Sequence, residues 1–154
     1  MCRIALAVAV GFLLPLGSSA QADRALQQVS ARQVDIVAND YTFLPLPQTI
    51  PAGPTLFGFT NQGKVQHEVS LVRLKRGVTV DQVVKAVQAG ERARQFVDRS
   101  VGILIAGPGL SPDGRLLVDL RVGETYLLLC TLRDNPDAPP HIMLGMFTSF
   151  RPQP

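Results

Sequence analysis

Four side chains of this sequence could act on one chemistry: His67, Cys130, His141 and Met146. His67 and His141 are the only histidines in the 154 residues, and Cys130 is the only cysteine after Cys2. Cys130 closes the run Gly123-Glu-Thr-Tyr-Leu-Leu-Leu-Cys130; His141-Ile-Met-Leu-Gly-Met146 follows after Thr131 to Pro140. Two imidazoles, a thiolate and a weak thioether are the donor set of a blue-copper electron-transfer centre. A trigonal His2Cys set with a long axial thioether suits both oxidation states of copper, so little rearranges when one electron moves.

Each residue alone also has a plainer explanation. Cys130 could be a buried, inert thiol, His141 an exposed loop residue, His67 a core histidine, and Met143 and Met146 core residues. Their joint appearance, as both histidines and every cysteine and methionine beyond residue 22, favours one shared site. Met143 and Met146 both stand close enough to His141 to compete for the axial position. Asp134 and Asp137 leave open a harder, more oxygen-rich site or another metal. A Cys/His nucleophile is a further alternative; it needs Cys130 and His141 in contact beside a cleft, with an orienting residue such as Asp134.

A metal site drawn from distant segments needs rigid elements to hold it. A strand-like pattern begins at Val34-Asp-Ile-Val and runs through Tyr41 and Phe43, before Pro45, Pro47, Pro51 and Pro54 break the chain into turns. Thr55–Thr60 is a short β-run, then a turn over Asn61-Gln-Gly-Lys64. From His67 the residues alternate, with His67, Val69 and Leu71 on one face and Glu68 and Ser70 on the other. Thr79 caps a helix with Val80, Val83, Val84 and Val87 along its core-facing stripe and Gly90 as its stop. A second short helical piece reaches towards Phe96. Strand patterns return at Val101–Ile105 and Leu116–Val122, and Tyr126, Leu128 and Cys130 share a face of the next strand. Met146, Thr148 and Phe150 share a face of the last. The pattern predicts an all-β protein, a Greek-key β-sandwich with one inserted amphipathic helix.

Over residues 34–74 and 115–152 the chain resembles the cupredoxins, the blue, type 1 copper proteins. The resemblance rests on Phe59-Thr-Asn61 followed by His67-Glu-Val-Ser-Leu, on the run ending at Cys130, and on His141-Ile-Met-Leu-Gly-Met146 before a closing strand. It implies a cupredoxin-like sandwich and copper as cofactor. It further implies Cys130 as thiolate ligand, His67 and His141 as imidazole ligands and Met146 as axial ligand. Two departures stand out. Family members place only a few residues between the cysteine and the second histidine, whereas ten intervene here, Thr131 to Pro140. Lengthening a flexible loop to this extent costs only about 1 kcal/mol of closure entropy, and Pro136, Pro139 and Pro140 stiffen it. Glu68 also stands where the family often has an asparagine that ties the ligand loops, and its carboxylate could accept from backbone amides of the loop.

The first residues have their own logic. Arg3, the apolar run Ile4–Leu16 and Ala20-x-Ala22 describe a secretory signal peptide over residues 1–22, too short for a membrane span of roughly 20 apolar residues. Residues 23–33 are then a polar leader and 34–152 one cupredoxin-like domain. Cleavage leaves a single cysteine, which cannot form an internal disulfide. Net charge is +3 for the whole chain and +2 without residues 1–22. That charge is too small to argue for nucleic acid, no basic cluster is interleaved with aromatics, and no nucleic-acid partner is expected. The expectation is a periplasmic or secreted, monomeric, non-enzymatic protein, not inserted in a membrane after cleavage, that exchanges single electrons with a redox partner protein. A copper carrier of the same fold, or a metal-free binding module, are the alternatives.

Overall fold

The computed structural model describes residues 31–154. The expected signal peptide, and the expected leader up to residue 30, lie outside the described residues. The chain runs β1 (Arg32–Asn39), β2 (Thr42–Phe43), β3 (Gly53–Asn61), β4 (His67–Leu74), α1 (Val80–Gln88), β5 (Val97–Ala106), β6 (Leu116–Leu120), β7 (Tyr126–Leu129) and β8 (Phe147–Phe150). Short 3-10 turns occupy Ala93–Phe96 and His141–Leu144.

Two four-stranded sheets form, ordered β2-β1-β3-β6 and β5-β4-β7-β8. Among the described residues β1 and β3 form the one parallel ladder; the remaining ladders are antiparallel. The chain crosses between sheets from β3 to β4, from β5 to β6 and from β6 to β7, so the expected sandwich with one helix is what forms. The ladder starts earlier than the expected boundary at residue 34: Arg32 and Gln33 already pair with Thr55 and Leu56. Backbone pairing extends a strand past its last buried side chain, so apolar alternation underestimates its length. At the other end Gln153 bridges to Pro51 and exchanges backbone bonds with Ile50 and Ala52.

The core between the sheets is filled by one residue in two along the strands. Val34, Ile36 and Ala38 of β1, Phe57 and Phe59 of β3, and Val69 and Leu71 of β4 meet Tyr126, Leu128 and Cys130. The alternate residues of β4 and β7, Val72, Leu74, Leu127 and Leu129, are also buried, in a second cluster beneath α1. β7 is therefore covered on both faces, which is why it reads as an unbroken apolar run.

α1 begins as expected. Thr79 and Gln82 form a capping box, the Gln82 N–H donating to Thr79 Oγ1 and the Thr79 N–H to Gln82 Oε1. Val80, Val83 and Val87 pack on the outer cluster, while Val84 is only half-buried and lies outside it. Gly90 ends the helix with φ 80°. Docked in this way, α1 clamps the outer face of the strand that delivers Cys130.

Candidate metal centre

His67 opens β4, opposite Ala106 at the end of β5. The loop before it is shaped by Asn61, fully buried, whose amide nitrogen donates to the carbonyls of Val65 (2.8 Å) and Ala106 (3.0 Å). Its oxygen accepts from the Gly63 N–H at 2.9 Å. Gly63 is where this loop passes closest to the site: a Cβ there would lie 3.0 Å from His67 Nε2 and would collide with the Asp40 carboxylate. No other residue type fits without moving one of them.

Cys130 follows the last residue of β7, and backbone bonds lock it to the segment that carries the second histidine. Its N–H donates to Met146 O (3.1 Å), and its carbonyl accepts from the Ile142 N–H (2.7 Å). The Met146 N–H donates in turn to His141 O (3.0 Å). Gly145, at φ 101°, ends the 3-10 turn and reverses the chain into β8. These ties are local consequences of a strand end, a tight turn and a left-handed glycine.

The folded chain brings the three strong donors together. The Nδ1 atoms of His67 and His141 are 3.2 Å apart, and Cys130 Sγ is 3.3 Å from His141 Nδ1. All three ligand atoms lie within 4.8 Å of one another, and each residue is at most 1 % exposed. Donors held about 2.0–2.3 Å from one ion stand about 3.3–3.7 Å apart, so the spacing fits a single first-row metal. Two imidazoles and a thiol give it a soft, nitrogen- and sulfur-rich character. Met146 is fully buried in the core cluster that holds Cys130, whereas Met143 is 41 % exposed. Of the two methionines, only Met146 shares the interior with the donors.

Glu68 does what its position suggested. Its Oε1 accepts from the Thr131 N–H (2.8 Å) and hydroxyl (2.6 Å), tying β4 to the loop after Cys130, while its own backbone N–H donates to Cys130 Sγ at 3.4 Å. It is nevertheless buried, because the outer face of β4 is covered here. The long loop carries internal bonds as well: Asn135 Oδ1 accepts from the N–H groups of Asp137 and Ala138, and Arg133 donates to Ala138 O.

Asp134 and Asp137 do not enlarge the donor set. Asp134 Oδ1 instead meets the outer nitrogen of His141, Nε2, at 3.0 Å, and its Oδ2 accepts from the Tyr41 hydroxyl at 2.5 Å. The Tyr41 ring stands edge-on to His141, with centroids 5.0 Å apart. Asp40, its neighbour, accepts from the Lys64 N–H (2.7 Å) and lies 3.6 Å from His67 Nε2, a buried nitrogen without a hydrogen bond of its own. Nothing in the sequence marks Asp40 and Tyr41 as neighbours of the site. They sit in the β1–β2 turn with no motif to mark them, and only the positive φ of Tyr41, 59°, sets them apart.

The electrostatics follow from this geometry. Burial, then the charge of His141, pulls the His67 pKa below its ordinary value. The Tyr41 hydroxyl holds the Asp134 carboxyl below the carboxylate range, and the same bond pushes the Tyr41 phenol up. Burial pushes the Cys130 thiol up. A nucleophilic cysteine needs the opposite shift and an approach for substrate. The Cys130–His141–Asp134 chain thus has the contacts of a nucleophile triad without its accessible, acidified thiol.

No protein-family model and no curated protein sequence matches the chain. Among solved structures it is similar to a dithionite-reduced auracyanin from the photosynthetic bacterium Roseiflexus castenholzii, at 21% identity and TM-score 0.53, over 80% of this chain and 98% of that one. It is also similar to auracyanin B, at 24% identity and TM-score 0.54, over 80% and 90%. The chain has the cupredoxin fold. Among the described residues, no helix is long and apolar enough to cross a membrane.

Proposed function

We propose that this protein is an exported single-electron carrier that holds one copper ion through His67, Cys130 and His141, with Met146 as the axial donor. The convergence of two imidazole Nδ1 atoms and one thiol in a buried position carries this reading. Bound copper supplies a one-electron couple between its cupric and cuprous states. The chain does the rest. Strand ends and cross-tied backbone keep the three donors in place, Glu68 fastens the Cys130 loop, and the apolar lining keeps water away from the thiol. Fixed ligands minimise rearrangement, and small rearrangement favours fast electron exchange with a redox partner protein.

Burial of the donors favours this role over that of a copper carrier. Handing the ion to another protein would require opening a site whose three donors are at most 1 % exposed. Export rests on the N-terminal pattern of the sequence. The test is Cu(II) titration of the purified protein beside Cys130→Ser, read by visible absorption and cyclic voltammetry. An intense thiolate-to-copper band with a reversible one-electron wave is expected, and the variant loses the band. Tight copper binding without redox cycling would point to the carrier instead.

A further inference from the structure

The outer edge of His141 is closed by two residues that are not among the donors. Asp134 Oδ1 meets His141 Nε2 at 3.0 Å, and Tyr41 holds the other carboxylate oxygen at 2.5 Å. Each comes from an unusual place. Asp134 lies in the ten-residue segment between Cys130 and His141 that departs from the cupredoxin pattern. Tyr41 has φ 59°, a left-handed conformation that non-glycine side chains rarely adopt. Such strain persists only where the surroundings enforce it, and it gathers at functional sites. The neighbouring Asp40 carboxylate ties the same turn to the Lys64 N–H at 2.7 Å.

A neutral imidazole carries one proton on one of two nitrogens, and the partner of each nitrogen decides which. A carboxylate without a proton can only accept, so His141 must offer Nε2–H to Asp134. Its Nδ1 is then left as a bare lone pair directed at His67 and Cys130. The Tyr41 hydroxyl, spent on Oδ2, keeps the carboxylate from rotating away.

We infer that Asp134, braced by Tyr41, is a positioning residue that fixes His141 in the Nε2–H tautomer and keeps its Nδ1 ready for the metal. The long loop exists, on this account, to bring that carboxylate over the histidine. The inference rests on the copper reading for its purpose but not for its first observable, since the tautomer is set without metal. Partners of this kind are typically worth about 10- to 100-fold in metal affinity.

The experiment uses the copper-free protein at pH 8, with 15N-labelled histidine, and long-range 1H–15N spectra that distinguish the two tautomers. Wild type is expected to show His141 as Nε2–H alone. In Asp134→Ala the signals should move to the other tautomer or to a mixture, and Cu(II) affinity should fall about 10- to 100-fold. Asp134→Asn keeps an acceptor oxygen and should retain most of the tautomer preference; Tyr41→Phe, which keeps the ring, should fall between. A merely structural role would lower the melting temperature of Asp134→Ala and leave the His141 tautomer unchanged, and that result overturns the inference. Should wild type bind no copper while the tautomer still follows Asp134, the proposed function falls and the positioning role stands.

Discussion

Glu68 offers a perturbation whose size can be worked out from its contacts. One carboxylate oxygen accepts both the backbone N–H and the hydroxyl of Thr131, at 2.8 and 2.6 Å, from a side chain only 5 % exposed. Hydrogen bonds to a charged group are worth about 1.5–3 kcal/mol each. Thr131 is exposed, so water takes over its donors once the carboxylate is gone, and each of the two bonds falls to about 1 kcal/mol, the typical net value. Glu68→Ala should therefore cost about 2 kcal/mol in the copper-free protein. With an unfolding entropy of about 2.1 cal/mol/K per residue, this lowers the melting temperature of a domain of this size by about 8 °C. Glu68→Gln keeps an acceptor without the charge and should lose about half as much. Thr131→Val removes only the hydroxyl bond, at about 1 kcal/mol. The assay is calorimetry on Glu68→Ala, Thr131→Val and the double variant that combines them. Because the two side chains share a bond, the double variant should be less destabilised than the sum, by about 1 kcal/mol. Strict additivity, or a Glu68→Ala variant that melts with wild type, would refute the tie between β4 and the ligand loop.

Further expectations follow from the same geometry. Burial raises the Cys130 pKa above the ordinary thiol value of 9.0. The copper-free protein should therefore hold its stability below about pH 9 and lose it as pH rises towards the folded-state pKa. Denaturant melts from pH 7 to 11 should show a steeper loss in wild type than in Cys130→Ser, where the raised Tyr41 phenol leaves a smaller slope above about pH 10. Gly63→Ala places a Cβ against His67 Nε2 and Asp40, so it should weaken copper binding at least tenfold by titration while the far-ultraviolet circular dichroism stays native. Leu127→Ala opens a cavity beneath α1 in a fully buried position and should cost about 2–5 kcal/mol. Leu127 lies on the face away from the donors, so the position of the copper band should not move.

Much of this architecture is legible along the chain because burial in a sandwich leaves a period of two. Val34, Ile36 and Ala38, or Tyr126, Leu128 and Cys130, need only alternation to be placed on one face. The capping box of α1 is equally local. The donor types were visible because histidine, cysteine and methionine are so scarce here, although their convergence depends on pairing between strands far apart in sequence. What stayed hidden is non-local or strained. Glu68 alternates as an outward residue, yet it is covered by the segment after β7. Met143 and Met146 look alike in sequence, and only the 3-10 turn closed by Gly145 sends one to solvent and the other to the core. Asp40 and Tyr41 lie roughly 90 residues before Asp134 and belong to a turn without a motif. No periodicity announces that contact.

The most direct test of the central claim is the visible spectrum of the protein after one equivalent of Cu(II), with Cys130→Ser alongside. The donor geometry predicts an intense thiolate-to-copper band that saturates at one copper per chain, disappears on reduction and is missing from the variant. A colourless protein that binds no copper, or a band that survives in Cys130→Ser, would contradict it.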